Sequence, residues 1–315
     1  MRRCRRSSAP QRTITLVLAA VLAALAAWSS SAAGRGTAPL SVRDTYARPE
    51  VLVDVAWLAA RVGDPRVRIV DARMPFDRAL YEAGHIPGAV FVNVFEDVWP
   101  VAEIMPSAAF AAAMARFGIG NDTTVVVYDT DGGTWAARLW WALRLHGHED
   151  VRMLSGGLRQ WIHGGQPLAD EPPEVAAAEF RVNVEPRWLA STHEVRAAID
   201  DPEVALVDAL PWPYHAGDVV AYGRPGHIPN ALNLPAPDTV DVLSLEVLSP
   251  QALSRMIARL GLDPRRRTIV YCGGGYYAAH IVFILYLMGF DDVALYDASL
   301  IAWASDPNNP LETVP

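Results

Sequence analysis

At 315 residues, 51% of them hydrophobic, the chain is long enough for two domains of about 140 residues with real cores. Its net charge of −8 and its lack of a long basic run argue against nucleic acid as a partner. It holds two cysteines, Cys4 and Cys272, in no pattern that suggests a zinc site, and no disulfide framework is possible if Cys4 is lost.

The chain starts with a positive stretch (Arg2, Arg3, Arg5, Arg6 and Arg12), then an apolar run from Ile14 to Trp28, then small residues with Ser31 and Ala33 set for cleavage after Ala33. This predicts a signal peptide over 1–33 and an exported protein, periplasmic or extracellular. The run is short against the roughly 20 residues of a membrane span; the alternative is an uncleaved N-terminal membrane anchor. Cleavage would leave one thiol in an oxidising compartment, where an idle exposed thiol is a liability.

A polar leader covers 34–49, and the first domain is expected over 50–170. Val67 to Arg73 reads as a strand ending in a polar turn. Gly84-His85-Ile86-Pro87-Gly88-Ala89 follows, and Ser107 to Phe117 has helical spacing of apolar residues. Thr123 to Tyr128 is a β-branched strand running into the loop Asp129 to Thr134, with a helix from Trp135 to Leu145. Val151 to Leu154 is a further strand. A polar, proline-rich connection at 171–186 reads as a linker.

The pattern then repeats over 187–315. Leu206-Val207-Asp208-Ala209 answers Ile69-Val70-Asp71-Ala72, and Gly226-His227-Ile228-Pro229 answers Gly84-His85-Ile86-Pro87. Thr268 to Cys272 answers Val125 to Asp129, and Trp303 answers Trp161. A tandem duplication of buried strands alternating with helices predicts α/β domains, each a mainly parallel sheet covered on both faces. Ligands of such sheets sit outside the C-terminal strand ends, where both the Asp129 and Cys272 loops fall. The paired His85 and His227, and the paired Asp71 and Asp208, are expected to serve the fold. The same holds for Arg138 and His280 on the helices after the two loops, and for the Trp135, Trp140, Trp141 and Trp161 cluster.

Cys272-Gly273-Gly274-Gly275-Tyr276-Tyr277 is the stretch where chemistry concentrates. Glycines let successive N–H groups converge, and the helix read from Ala278 to Met288 adds its N-terminal dipole. Such a cradle stabilises an anion, a thiolate included. The alternative is a small buried cysteine at a strand end.

The two Gly-His-Ile-Pro elements, the strand followed by Cys272 and its glycines, and the segment Tyr296-Asp297-Ala298-Ser299 with Trp303 and Asp306-Pro307 together resemble the tandem-domain rhodanese-type sulfurtransferases. These include the thiosulfate and 3-mercaptopyruvate sulfurtransferases. The resemblance covers about Val51 to Glu312. It implies two rhodanese-like domains, a non-catalytic first one and a second with Cys272 as nucleophile. Gly273, Gly274, Gly275, Tyr276 and Tyr277 would form the substrate loop. The implied reaction takes a sulfane sulfur from thiosulfate or a mercaptopyruvate-like donor onto Cys272 as a persulfide, then passes it to cyanide or a thiol. No metal or organic cofactor is implied, and the partners are small molecules acting on a monomer. Thiosulfate-type loops carry basic residues just after the cysteine, where this chain has Gly273 and Gly274. Mercaptopyruvate-type loops have a serine at 274, and those enzymes use arginines after the position of Asp208. Arg224 is the one arginine in that region and a possible anion contact. Thiosulfate is the favoured donor. A cysteine phosphatase would need a loop-closing arginine, and none follows Arg267. The other alternative is a non-catalytic sulfur carrier or binding module.

Overall fold

The computed structural model describes residues 42–98 and 105–314, so the signal peptide expected over 1–33 and the start of the leader lie outside the described residues. The first domain is a five-stranded, fully parallel sheet. Its strands are β1 (Leu52–Val53), β2 (Val67–Arg73), β3 (Val90–Asn93), β4 (Thr124–Tyr128) and β5 (Val151–Leu154), in the order β1-β5-β4-β2-β3. Helices α1 (Val55–Ala59), α2 (Arg78–Ala83), α3 (Ser107–Arg116), α4 (Thr134–Leu145) and α5 (Gly157–His163) connect them. The central strand β4 is a buried apolar run, and β2 buries Ile69, Val70 and Ala72, as a sheet covered on both faces requires.

The second domain repeats the plan with β6 (Val204–Asp208), β7 (Leu232–Asn233), β8 (Arg267–Tyr271) and β9 (Val293–Leu295), in the order β7-β6-β8-β9. The counterpart of β1 has shrunk to a single bridge, Leu189 to Leu295. Its helices are α6 (Thr192–Ala198), α7 (Trp212–Ala216), α8 (Pro250–Arg259), α9 (Tyr276–Leu287) and α10 (Ser299–Ser305). Ser191 and Glu194 close a reciprocal capping box at the start of α6. Between the domains, 171–185 forms no helix or strand but lies along the first domain, where Ala178 N–H bonds to Ala115 O and Glu185 N–H to Leu145 O.

Helices α4 and α9 pack against each other and bring both strand-end loops to one place. Trp140 meets Phe283 edge-on, with ring centroids 5.2 Å apart. Residues 278–285 of α9 are all buried, because one side faces its own sheet and the other faces α4. Among the described residues no helix is long and apolar enough to cross a membrane.

Candidate active site

Strand β8 carries Cys272 to its C-terminal end, and the glycines bend the chain so that the loop's carbonyls and N–H groups separate. Carbonyls of Cys272 and Gly273 accept from Leu300 and Ile301 at the start of α10, at 3.0 Å each. The N–H groups turn inward: Gly275 N–H reaches Cys272 Sγ at 3.0 Å, and those of Gly274 and Ala278 point to the same sulfur. Cys272 N–H is itself held by Ser299 Oγ at 3.2 Å. Gly275 caps α9 with φ 94°, a left-handed conformation that glycine adopts freely.

Cys272 is wholly buried, which pushes its thiol up from the ordinary range; the three N–H groups pull it down, and nearby Asp208 adds to the rise. In this closed arrangement burial opposes the thiolate that the N–H groups favour. Tyr276 and Tyr277, expected as loop residues, are the first turn of α9, which starts two residues before the expected Ala278. They form one wall of a cleft of about 530 Å³ whose other walls include Asp131, Trp135 and Arg159 from the first domain and Val240 from the second.

Tyr222 was not singled out in the sequence, yet it lies directly on the loop. A Cβ on Gly273 would fall inside its ring. Its hydroxyl shares a hydrogen bond with that of Tyr276, and Tyr214 stands beside it with ring centroids 6.4 Å apart. Burial raises the pKa of Tyr222, Tyr276 and Tyr277, and the charge of a Cys272 thiolate would raise it further. The only sequence signal was the glycine at 273, which leaves room for a ring from elsewhere.

The structure gives Arg224 a task other than anion contact. Its Nε and Nη2 donate to the carbonyls of Ala304, Asp306 and Asn309 at 2.8–3.1 Å, tying the end of α10 to the loop after α7. The paired histidines serve the fold: His85 bonds Tyr81 O and stacks on its ring, and His227 bonds His215 O and stacks on that ring. Asp71 is held by Arg73 through two contacts at 2.6 and 2.7 Å. Among the described residues no arginine is bonded to Asp208, which takes His215 Nδ1 at 2.9 Å instead.

In the first domain the equivalent cradle is filled from within. Asp129 accepts N–H bonds from Asp131, Gly133, Trp135 and Ala136 at 2.9–3.0 Å. Burial pushes its carboxyl up to about 6. A carboxylate satisfies the donors but offers no sulfur nucleophile. Beneath the loops the two domains brace each other. Arg138 of α4 pairs with Asp297 at 2.5 Å, both buried, and this pair touches Gly275. His280 of α9 bonds Thr239 Oγ1 at 2.9 Å and its ring lies against Gly133.

The rhodanese-like domain model matches twice, over residues 54–163 and 191–306. The chain is 34% identical to a sulfur carrier protein, TtuD, of Thermus thermophilus, over 82% of this chain and 95% of that one. It is 34% identical to a thiosulfate sulfurtransferase of Corynebacterium glutamicum (87% and 94%) and 31% identical to human 3-mercaptopyruvate sulfurtransferase (81% and 85%). Among solved structures, an anaerobic ergothioneine biosynthesis enzyme from Chlorobium limicola shares the fold, with TM-score 0.78 at 23% identity over 85% of this chain and 71% of that one. Two matched rhodanese-like domains, two parallel sheets joined in tandem and a cysteine in the second strand-end cradle make the chain a member of the tandem-domain rhodanese-type sulfurtransferase family.

Proposed function

We propose that the protein transfers a sulfane sulfur through a Cys272 persulfide. The observation that carries this reading is the convergence of the Gly274, Gly275 and Ala278 N–H groups on Cys272 Sγ. The Cys272 thiolate attacks the outer sulfur of thiosulfate; a Cys–S–S bond forms, the sulfur–sulfur bond of the donor breaks, and sulfite leaves with the electron pair. Cyanide then attacks the outer persulfide sulfur, giving thiocyanate and returning the thiolate. Charge balances in both steps, and neither needs an oxidant. The loop N–H groups stabilise thiolate and persulfide alike.

Thiosulfate is favoured over 3-mercaptopyruvate because the segment Ala209 to His215 after Asp208 has no arginine to take a carboxylate, and Arg224 is engaged by carbonyls. Intact mass of the reduced protein before and after each donor tests both points. A gain of one sulfur atom with thiosulfate, lost in Cys272→Ala, is the expected result; no gain with either donor overturns it. A carrier reading draws on the phenols in place of cations at the loop and on the relative named as a sulfur carrier protein. It requires that a loaded Cys272 keep its sulfur in the presence of cyanide. The arginine-rich, apolar start of the sequence supports action outside the cytoplasm; sequencing the N-terminus of the exported protein checks cleavage after Ala33.

A further inference from the structure

We propose that Tyr222 is the residue that recognises the anionic substrate at Cys272, by hydrogen bonding through its phenol rather than by charge. The inference deepens the sulfur-transfer reading and rests on it. The residue following a nucleophile on a tight loop is the one whose side chain would overhang the sulfur. Here that residue is Gly273, and the vacated volume holds the Tyr222 ring. Tyr222 is brought there from the loop between α7 and the Gly226-His227 element, in which residues 218–221 are exposed. The Tyr222 hydroxyl already shares a hydrogen bond with Tyr276, which sits on the cleft wall. Two phenols are thus chained from above the loop into the cleft.

Phenols in this setting stay protonated. Each is partly buried beside a group that becomes a thiolate, and both effects oppose losing the proton. They are therefore lasting donors without positive charge. The buried cation Arg138 stands behind Gly275 and is paired with Asp297; Arg159, on the first-domain side of the cleft, donates to Leu243 O at 2.7 Å. A small oxyanion reaching Cys272 meets hydroxyl hydrogens first. Such recognition is directional, is little weakened by salt, and fits a compact group with several acceptor oxygens such as a sulfonate.

The test uses full-length reduced protein and two alkylating reagents of matched size, anionic iodoacetate and neutral iodoacetamide, followed on the Cys272 peptide by mass spectrometry. In Tyr222→Phe, which keeps the ring on Gly273, the iodoacetate-to-iodoacetamide rate ratio falls about tenfold. In the wild type the ratio changes less than about twofold up to roughly 0.5 M NaCl, whereas Tyr222→Lys gives a ratio that salt collapses. Thiosulfate kcat/KM follows the same order. An unchanged ratio in Tyr222→Phe overturns the inference, as does a wild-type ratio that salt collapses. A native Cys272 that neither reagent reaches overturns it too, because a sealed thiol has nothing to recognise. If the ratio falls as expected while neither thiosulfate nor 3-mercaptopyruvate loads sulfur, the transfer reading fails and the role of Tyr222 stands.

Discussion

Arg138 Nη1 lies 2.5 Å from Asp297 Oδ1, a buried ion pair that joins helix α4 of the first domain to the turn after β9 of the second. The pair is the floor under Gly275: a Cβ there would come within 2.8 Å of Asp297 Oδ1 and 2.9 Å of Arg138 Nη1. The N–H group that holds the nucleophile's sulfur therefore rests on a residue from the other domain. Arg138→Met leaves the Asp297 carboxylate buried without this partner. It is expected to cost about 3–5 kcal/mol in urea unfolding, because a broken buried pair strands a charge. Adding Asp297→Asn returns part of that loss, since the stranded charge goes with it. A single variant as stable as the wild type would show that the pair holds nothing.

His280 makes the domain contact sensitive to acid. Burial pulls its imidazole down to about 4 from the ordinary 6.5, so the folded protein holds it neutral. Below 6.5 the unfolded chain binds a proton that the folded chain refuses. Its contribution is complete above pH 6.5 and declines as pH falls toward 4, by about 3 kcal/mol in total. His280→Gln keeps an amide near Thr239 but does not titrate. Urea midpoints across this pH range should fall more steeply for the wild type than for the variant; parallel curves would contradict the assignment.

The Cys272 thiol is raised because burial outweighs its cradle. Thiolate is the reactive form, so alkylation by iodoacetamide should be slow at neutral pH and climb past the ordinary thiol range without a plateau. Tyr222→Ala uncovers Gly273 and lets water near the sulfur. Desolvation then weakens while the N–H groups stay, and the rate profile moves to lower pH. A wild-type plateau near neutrality would mean that the cradle outweighs burial even in the closed site.

The duplicated strand, loop and helix pattern was legible because each element is local, and both strand-end loops follow from it. The repeat placed Asp129 opposite Cys272, but its four N–H partners could not be seen there. The remainder depends on contacts across long separations. Tyr222 and Gly273 are unrelated in the local pattern, and only folding brings the ring onto the glycine. Arg138 was expected to be a packing or salt-bridge feature, but nothing in sequence says that its partner is Asp297 in the other repeat. Arg224 stood as a possible anion contact because it was the one arginine in the region; the carbonyls at the end of α10 claim it. Tyr276 and Tyr277 fell on the wrong side of a boundary because glycines continue to the first residue of α9, and the positive φ of Gly275 marks the true start.

The crossed bracing of α4 and α9 has a consequence for the lineage of the molecule. A duplication normally yields two interchangeable modules, each able to be lost, shuffled or copied again. Here each half has surrendered part of its own foundation to its sibling: one supplies an arginine below the working loop, the other a histidine below the retired one. The first repeat cannot be discarded merely because it has no nucleophile. Selection on the chemistry of one half has become selection on the sequence of both.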